Sequence, residues 1–308
     1  MRVLIVGCGY VGRPLGAELA GQGHEVFGVR RTAAGETELK AVGIHPLIGD
    51  ISRPDALAKW PAPFDWVVNC AASGGGDAED YRRVYLQGTR NLLDWLAPMP
   101  PGKYVYTSST SVYAQNDGSL VIEESPTEPA SETAQVLIET ERMLLDAARA
   151  GHFPAVILRV AGIYGPDRGH LFRQYLKNEA RIEGQGDRIL NMIHRDDVTG
   201  VIIAALTAGG RREVYNAVDD EPVSQLNFFE WLAGTLGKGL PPSVAEEPDN
   251  ARKRGLTSKR VSNRKLKEAL GYRFKYANFR EGYTAELQRL GPTHQSGPGT
   301  ELGQVRDS

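Results

Sequence analysis

The sequence predicts a doubly wound α/β domain followed by a smaller mixed domain. Over about the first half of the chain, short apolar segments alternate with segments of helical periodicity. That alternation is typical of a parallel sheet covered by helices on both faces. After Gly165 and Pro166 the pattern changes to helices separated by short strands. The first domain is therefore expected to hold the main sheet.

The individual elements follow from the same patterns. Apolar runs that can be buried on both faces predict strands at 2–6, 25–29, 44–48, 65–69, 103–108 and 154–160. Apolar residues at helical spacing predict helices at 10–22, 52–60, 78–97, 131–150, 170–180, 196–208, 225–236, 262–270 and 279–290. The first helix illustrates the pattern, because Val11, Leu15 and Leu19 are spaced to share one face.

These elements divide the chain into three parts. Residues 1–168 are expected to form the sheet domain and residues 169–290 a smaller domain. Part of 188–220 is expected to return to the core of the first domain. Residues 291–308 are polar and rich in glycine and proline, which predicts a disordered tail.

Composition and charge exclude several functional classes. There are 36 lysine and arginine residues against 38 acidic ones, a net charge of −2, which argues against a nucleic-acid binder. No apolar run reaches the roughly 18 residues of a membrane-spanning helix, and no signal peptide is evident. Two cysteines, Cys8 and Cys70, cannot build a disulfide framework. No residues show metal-ligand spacing. We expect a cytoplasmic protein that binds small molecules.

A glycine-rich turn joins the first strand to the first helix. It reads G-C-G-Y-V-G at 7–12. Glycines at this point let the backbone approach a pyrophosphate, and the helix N-terminus directs N–H groups at it. The turn made by Gly7, Gly9, Tyr10, Val11 and Gly12 is therefore predicted to bind a dinucleotide.

The end of the second strand indicates which dinucleotide. An acidic residue is usual there when the ribose 2′-hydroxyl is bound, but this chain has Arg30 and Arg31. Two guanidinium groups suit a 2′-phosphate. NADP is therefore the predicted cofactor, with NAD as the alternative; a solvated arginine pair is the competing interpretation.

Further segments occur in a familiar order and spacing. They are G-D-I at 49–51, N-C-A-A at 69–72, G-T-R-N-L-L at 88–93, S-S-T-S-V-Y at 108–113, R-V-A-G-I-Y-G-P at 159–166 and I-H-R-D-D-V at 193–198. With these segments the chain resembles the extended short-chain dehydrogenase/reductases, the NAD(P)-dependent epimerase/dehydratases of nucleotide sugars, over about residues 1–290. The resemblance implies a Rossmann fold. It also implies that Asp50, Ile51, Ala71, Ala72 and Val160 lie along the cofactor.

The opening turn also resembles that of the nucleotide-sugar dehydrogenases, a different family. Those enzymes need a catalytic cysteine far along the chain. No cysteine follows Cys70, so that chemistry is not supported.

The catalytic Tyr-x-x-x-Lys pair of the resembling family is missing. Its tyrosine acts as general acid/base, and its lysine lowers the tyrosine pKa. Flanking motifs place Thr133 at the tyrosine position and Leu137 at the lysine position, and Tyr85 stands where an asparagine is usual. Only Ser109 keeps the family's hydroxyl.

Two functions therefore stay open. In the first, the chain is an oxidoreductase of epimerase/dehydratase type with an atypical active site, acting on a nucleotide-sugar-like or other polar carbonyl or hydroxyl substrate. Ser109 would orient that substrate, and Tyr113, Tyr85 or His194 would transfer the proton. In the second, it is a non-catalytic NADP(H)-binding regulator or redox sensor.

Basic residues in the second domain bear on the substrate. Clusters at 252–254, 259–260 and 264–267 predict an electropositive wall for an anionic substrate, with a solvated surface as the alternative. The resemblance also implies a homodimer through helices 78–97 and 131–150. The apolar stripe of the second helix would be buried equally well in a monomer.

Overall fold

The computed structural model of the chain describes residues 1–74, 76–129, 131–151, 153–245 and 257–291. Its strands are β1 (Arg2–Val6), β2 (Glu25–Arg30), β3 (Ile44–Ile48), β4 (Trp66–Asn69), β5 (Lys103–Ser109), β6 (Leu120–Val121), β7 (Ala155–Val160), β8 (Gly162–Tyr164), β9 (Ile182–Glu183), β10 (Ile189–Leu190), β11 (Met192–His194), β12 (Val214–Ala217), β13 (Val223–Ser224), β14 (Ser243–Val244) and β15 (Arg260–Val261). Its helices are α1 (Gly12–Gly21), α2 (Glu36–Lys40), α3 (Pro54–Leu57), α4 (Ala78–Tyr81), α5 (Gly88–Leu96), α6 (Glu132–Gly151), α7 (His170–Leu176), α8 (Arg195–Ala208), α9 (Gln225–Leu236), α10 (Arg264–Leu270) and α11 (Phe279–Leu290).

A seven-stranded parallel sheet forms the centre of the fold. Its strand order is β12-β7-β5-β4-β1-β2-β3. Strands β2 and β3 are added on one side of β1, and the chain then crosses over so that β4 and the later strands lie on the other side. The first strand is buried almost throughout, as its apolar sequence predicts. A break in strand order opens a crevice at the carboxyl ends of the strands, and ligands of such sheets bind there.

Two apolar clusters cover the two faces of the sheet. One contains Val3, Ile5 and Leu15, and the other contains Leu4, Val6 and Leu92. Alternate residues of β1 thus belong to opposite clusters, because successive side chains of a strand point to opposite faces. The sheet is therefore buried on both sides, and the doubly wound α/β prediction is confirmed.

The residues after β8 form a separate aromatic cluster. It joins α7, α9 and α11 through Phe172, Phe228, Phe229 and Tyr283. Two elements of the same stretch of sequence instead join the main sheet. Strand β12 pairs with β7, and α8 packs against α1.

Several segments differ from the sequence predictions. Helix α2 was not expected, and strand β12 was expected only as one of the short strands between the later helices, without bounds. The helix expected at 52–60 is reduced to α3, and the helix expected at 78–97 contains a π-helical segment at Arg82–Gln87. Strand β12 lacks an apolar run because it carries Asn216, whose amide is buried and hydrogen-bonded. A polar residue with buried partners hides a strand from a hydrophobicity pattern.

The apolar stripe of α6 faces the chain's own core. Val136, Leu137 and Leu144 are all buried within the single chain. The alternative that a monomer buries this stripe agrees with their placement. No helix in the described part of the chain has the length and hydropathy to cross a membrane.

Candidate functional site

A cleft of about 1290 Å³ lies at the carboxyl ends of the sheet strands. One wall is built from the segments that follow β1, β2, β3, β4, β5 and β7, and the other from residues 168–191 and 257–259. The volume exceeds that of ordinary small-ligand pockets, which are about 300–1,000 Å³. The cleft therefore has room for a dinucleotide together with a second molecule.

The glycine turn forms the floor of one end. Gly7 has a φ of 82°, and a Cβ there would lie 2.6 Å from backbone atoms of Cys70 and Ala71. Gly9 has open space where its Cβ would be, and it lines the cleft with Tyr10 and Val11. The Gly9 position thus leaves the approach of a ligand to the backbone unobstructed.

Gly12 has a different place in the same turn. It is buried and is not part of the cleft lining. A Cβ on Gly12 would lie 2.7 Å from the Gly7 carbonyl oxygen and 3.0 Å from the Ile5 side chain. Its placement supports close packing of α1 on β1 rather than contact with a ligand, one of the roles that glycines have in such turns.

Arg30 and Arg31 both line the cleft where β2 ends. The Arg30 guanidinium lies against Gly35, which has a φ of 87° and directly precedes α2. Asp50 and Ile51 line the next part of the wall, after β3. The structure thus brings the two predicted arginines and the predicted 49–51 segment to one end of the cleft.

Asp50 is held in its ionised form. Its Oδ1 accepts hydrogen bonds from the Ser52 N at 2.9 Å and the Ser52 Oγ at 2.8 Å. Burial alone would raise the pKa of Asp50, but these bonds and the nearby Arg83 outweigh it and hold the pKa below its usual range. An ionised carboxylate accepts hydrogen bonds only, so Asp50 suits a ligand hydroxyl or amine.

Ala71, Ala72 and Val160 line the middle of the cleft, together with the two cysteines. Cys8 is buried, and burial raises the pKa of its thiol to about 12. Burial also raises the pKa of the Cys70 thiol, whose Sγ lies 3.3 Å from the Val6 carbonyl oxygen. Both thiols therefore stay protonated, and neither has the thiolate character that nucleophilic chemistry requires.

The opposite end of the cleft carries the positions of the missing catalytic pair. Thr133 and Leu137 both line it, and both are less than a tenth exposed. Ser109 lines the same region, and its Oγ accepts a hydrogen bond from the Ser111 N at 3.1 Å. The structure thus brings Ser109 together with the two replacement residues.

Tyr113 does not reach the cleft, which is at odds with the acid/base role suggested for it. It is fully buried, its hydroxyl donates to the Asn216 Oδ1 at 2.8 Å, and it accepts from the Arg159 guanidinium at 2.8 Å. The 3₁₀ turn at Thr110–Val112 carries the chain past the strand end and turns this ring inward. Tyr113 is therefore a structural residue.

Arg159 is the centre of a buried network beneath the strand ends. It forms an ion pair with Glu141 at 2.8 Å, and Glu141 also accepts a hydrogen bond from the Ser108 Oγ at 2.5 Å. The network joins β5, α6 and β7 directly behind Ser109.

His194 is also placed away from the cleft. It is buried, its Nδ1 accepts from the Asp196 N at 3.1 Å, and its Nε2 lies 3.4 Å from Glu286. Burial lowers the pKa of His194 despite the neighbouring carboxylates. The neutral imidazole caps α8. Of the three suggested proton-transfer groups, only Tyr85 lines the cleft, where it lies in the π-helical segment.

The charged wall of the cleft was only partly foreseen. Among the described residues of the basic clusters named from the sequence, Lys259 alone lines it. Arg260 donates to the Gly118 carbonyl, Lys265 pairs with Glu213 at 2.8 Å, and Lys267 pairs with Asp220 at 2.9 Å. Residues 252–254 lie outside the described residues, as do 292–308 of the expected tail.

Four basic residues on this wall were missed. Arg168, Arg173, Lys177 and Arg188 line it from α7 and the adjoining loops. They are separated from one another along residues 168–188, so no charge run marks them. Within the described residues, no group of three histidine, cysteine or acidic side chains is arranged to bind a metal ion.

The fold and the cleft define a class: an α/β protein with a Rossmann-type sheet and a glycine turn at the mouth of its first crossover. Comparison with known proteins agrees. The model of the NAD dependent epimerase/dehydratase family matches residues 3–217, and the chain belongs to this family. The resemblance to extended short-chain dehydrogenase/reductases is thereby confirmed.

Relatives extend the similarity over most of the chain. Protein YeeZ of Escherichia coli K12 is 29% identical over 283 residues, which covers 89% of this chain and 96% of YeeZ. A functionally unknown conserved protein from Silicibacter pomeroyi has a structure with 28% identity and a TM-score of 0.74, covering 92% of this chain and 97% of that one.

A second structure shows the fold alone. UDP-glucuronic acid 4-epimerase from Bacillus cereus, in complex with UDP-glucuronic acid and NAD, is 23% identical and has a TM-score of 0.78. The match covers 93% of this chain and 98% of that enzyme.

Proposed function

We propose that the chain binds a nicotinamide dinucleotide, with a preference for NADP(H), and catalyses an oxidoreductase reaction of epimerase/dehydratase type. Its substrate is a polar carbonyl or hydroxyl compound, such as a nucleotide sugar. One observation carries the proposal: a single cleft is lined by the glycine turn, the arginine pair and Ser109. The dinucleotide supplies the hydride chemistry, for which the chain has no group of its own.

The residues present fit this group. The open space at Gly9 leaves room for a pyrophosphate beside the N-terminus of α1, where no side chain caps the helix. Arg30 and Arg31 would hold a 2′-phosphate by charged hydrogen bonds. Ala71, Ala72 and Val160 would pack along the cofactor, and Ser109 would donate to or accept from the substrate oxygen.

Binding of the two reduced cofactors tests the preference. Arg30→Ala is expected to weaken NADPH binding by about tenfold or more and to change NADH binding much less, because only NADPH carries the 2′-phosphate. Arg53→Ala is the matched control, since Arg53 is exposed, pairs with Asp55 and does not line the cleft. Fluorescence titration measures both affinities. A greater loss for NADH than for NADPH would contradict the preference.

A second function is favoured by the apolar residue at the lysine position. Leu137 cannot lower the pKa of a neighbouring acid, and Thr133 has no pKa near neutrality. A chain that binds NADP(H) without turnover could act as a regulator or redox sensor. A panel of nucleotide sugars and small carbonyls, followed by NADPH absorbance and product analysis, separates the two. Turnover that Ser109→Ala abolishes supports the enzyme, and tight binding with no turnover supports the sensor.

A further inference from the structure

Lys259 is a buried cation on the wall of the cleft. It is 3% exposed and lines the cleft with Thr257 and Asn191. It directly precedes β15, and its backbone carbonyl accepts a hydrogen bond from the Asn191 side-chain amide at 2.9 Å. A lysine this deeply buried is unusual unless it is paired.

No carboxylate pairs with Lys259 in the described part of the chain. Its Nζ donates to the Tyr113 carbonyl at 2.8 Å and to the Thr257 Oγ1 at 2.7 Å, both uncharged acceptors. An ammonium group has three N–H donors, so one has no acceptor among the described residues. Burial without a compensating charge lowers the pKa of Lys259 to about 8.

The position of the ammonium is fixed by its acceptors. The Tyr113 carbonyl belongs to the residue whose ring is held by Arg159 and Asn216. Because that network is buried and Lys259 hydrogen-bonds to its Tyr113 carbonyl, the ammonium group is held inside the protein rather than free to reach solvent. Such preorganisation is what a binding group needs and what a surface lysine lacks.

The charged surroundings of Lys259 are mostly positive. Among the described residues, the other charged side chains on the same wall are Arg168, Arg173, Lys177, Glu179 and Arg188. Arg188 lies 3.8 Å from Glu183, which partly offsets its charge. A wall with this excess of cations favours an anionic ligand.

We propose that Lys259 is a substrate-binding residue that donates a charged hydrogen bond to an anionic oxygen, a carboxylate or a phosphate, of the molecule bound beside Ser109. The unpaired ammonium costs folding free energy that an anion in the cleft would recover. The inference rests on the proposed function, because it names the substrate class for the same cleft.

Calorimetry on the full chain without cofactor tests this assignment. There are three probes. UDP-glucuronate carries both a diphosphate and a carboxylate, UDP-glucose carries the diphosphate alone, and glucuronate carries the carboxylate alone. Lys259→Met is expected to weaken binding of the probes that carry the contacted group, phosphate or carboxylate, by about 10-fold or more. Such a loss is typical of a buried charged hydrogen bond. Lys265→Met is the matched control, since that lysine pairs with Glu213 away from the cleft lining.

Proton linkage provides a second measurement that a purely structural lysine would not change. At pH 8 the free ammonium is about half protonated, and a bound anion favours the charged form, so binding should take up about half a proton. Titrations in triethanolamine and in Tris buffer, which are both cationic and differ in their heat of ionisation, measure this uptake. Lys259→Arg keeps the charge at this pH, so it should retain binding and lose the uptake.

Each outcome decides the proposal. Wild-type affinity in Lys259→Met, unchanged proton uptake in Lys259→Arg, or no binding of any probe to the wild-type chain would overturn it. If only UDP-glucose and UDP-glucuronate depend on Lys259, the contact is to phosphate; if only the two glucuronates do, it is to carboxylate. Because no cofactor or turnover is involved, failure of hydride transfer would leave this result intact.

Discussion

The two ends of the cleft are built by different means. The end lined by the glycine turn and the two arginines, here called the dinucleotide end, is shaped by the backbone. Gly7 there has a left-handed conformation, and Gly9 leaves open space. The end lined by Ser109, Thr133 and Leu137, here called the substrate end, is shaped by side chains. Thr133 and Leu137 stand there at the positions of the family's acid/base pair. The first end keeps the family's pattern, and the second departs from it.

The difference shows which features a family can change separately. A backbone turn that fits a pyrophosphate places constraints on several neighbours at once, because Gly7 touches the segment after β4. A proton-transfer group can be replaced without moving the backbone. In this chain the Arg159–Glu141 ion pair lies behind Ser109, while Thr133 and Leu137 stand at the acid/base positions in front of it.

The largest expected effect concerns that ion pair. Arg159→Met leaves the Glu141 carboxylate buried and unpaired, so unfolding free energy should fall by about 3–5 kcal/mol. Chemical denaturation measures the loss. Arg149→Met is the control, because Arg149 forms an exposed pair with Asp146 on the same helix and should change stability by less than about 1 kcal/mol. Equal effects of the two variants would show that the buried network does not support the substrate end.

The glycine turn provides a matched pair of variants. Gly7→Ala places a Cβ 2.6 Å from the Ala71 backbone at a φ of 82°, and we expect a loss of about 2–4 kcal/mol in stability. Gly9→Ala meets nothing within 4 Å, so the fold should be kept within about 1 kcal/mol while NADPH binding is lost. Thermal denaturation and fluorescence titration measure the two effects. A Gly9→Ala variant with wild-type NADPH affinity would contradict the placement of the pyrophosphate.

Much of the fold could be predicted from the sequence, because buried parallel strands are apolar runs. The six predicted strands all form, within a residue of their expected bounds. The glycine turn that follows the first of them lines the cleft. The bounds of β12, one of the short strands expected between the later helices, could not be predicted this way, because Asn216 is buried through partners that are distant in sequence.

The substrate end was harder to predict for a related reason. Tyr113 stands in a motif next to the cleft, but its direction depends on Arg159, 46 residues further along the chain. Lys259 is one basic residue in a basic stretch, and only tertiary packing separates it from its exposed neighbour Arg260. Spacing identifies which residues are near a site and does not determine which of them face it.

The smallest expected effect is a gain in stability, not a loss, on replacing Lys259. It tests whether the substrate end of the cleft is built for binding at the expense of stability. Lys259 has its pKa lowered by burial from 10.5 to about 8, so the folded state disfavours the charge. Lys259→Met should raise unfolding free energy at pH 7 by about 1–3 kcal/mol, after allowing for the two lost hydrogen bonds.

The pH dependence of that gain identifies its cause. Below about pH 8 both the folded and the unfolded wild-type chains carry the proton, and the full penalty applies. Between about 8 and 10.5 the unfolded chain binds more protons than the folded one, so wild-type stability rises with pH relative to the variant. Denaturation at several pH values measures the difference, which should shrink over this interval. If Lys259→Met is less stable than the wild type at pH 7, or if the difference in unfolding free energy does not depend on pH, then Lys259 stabilises the fold and is not kept at a cost in stability for anion binding.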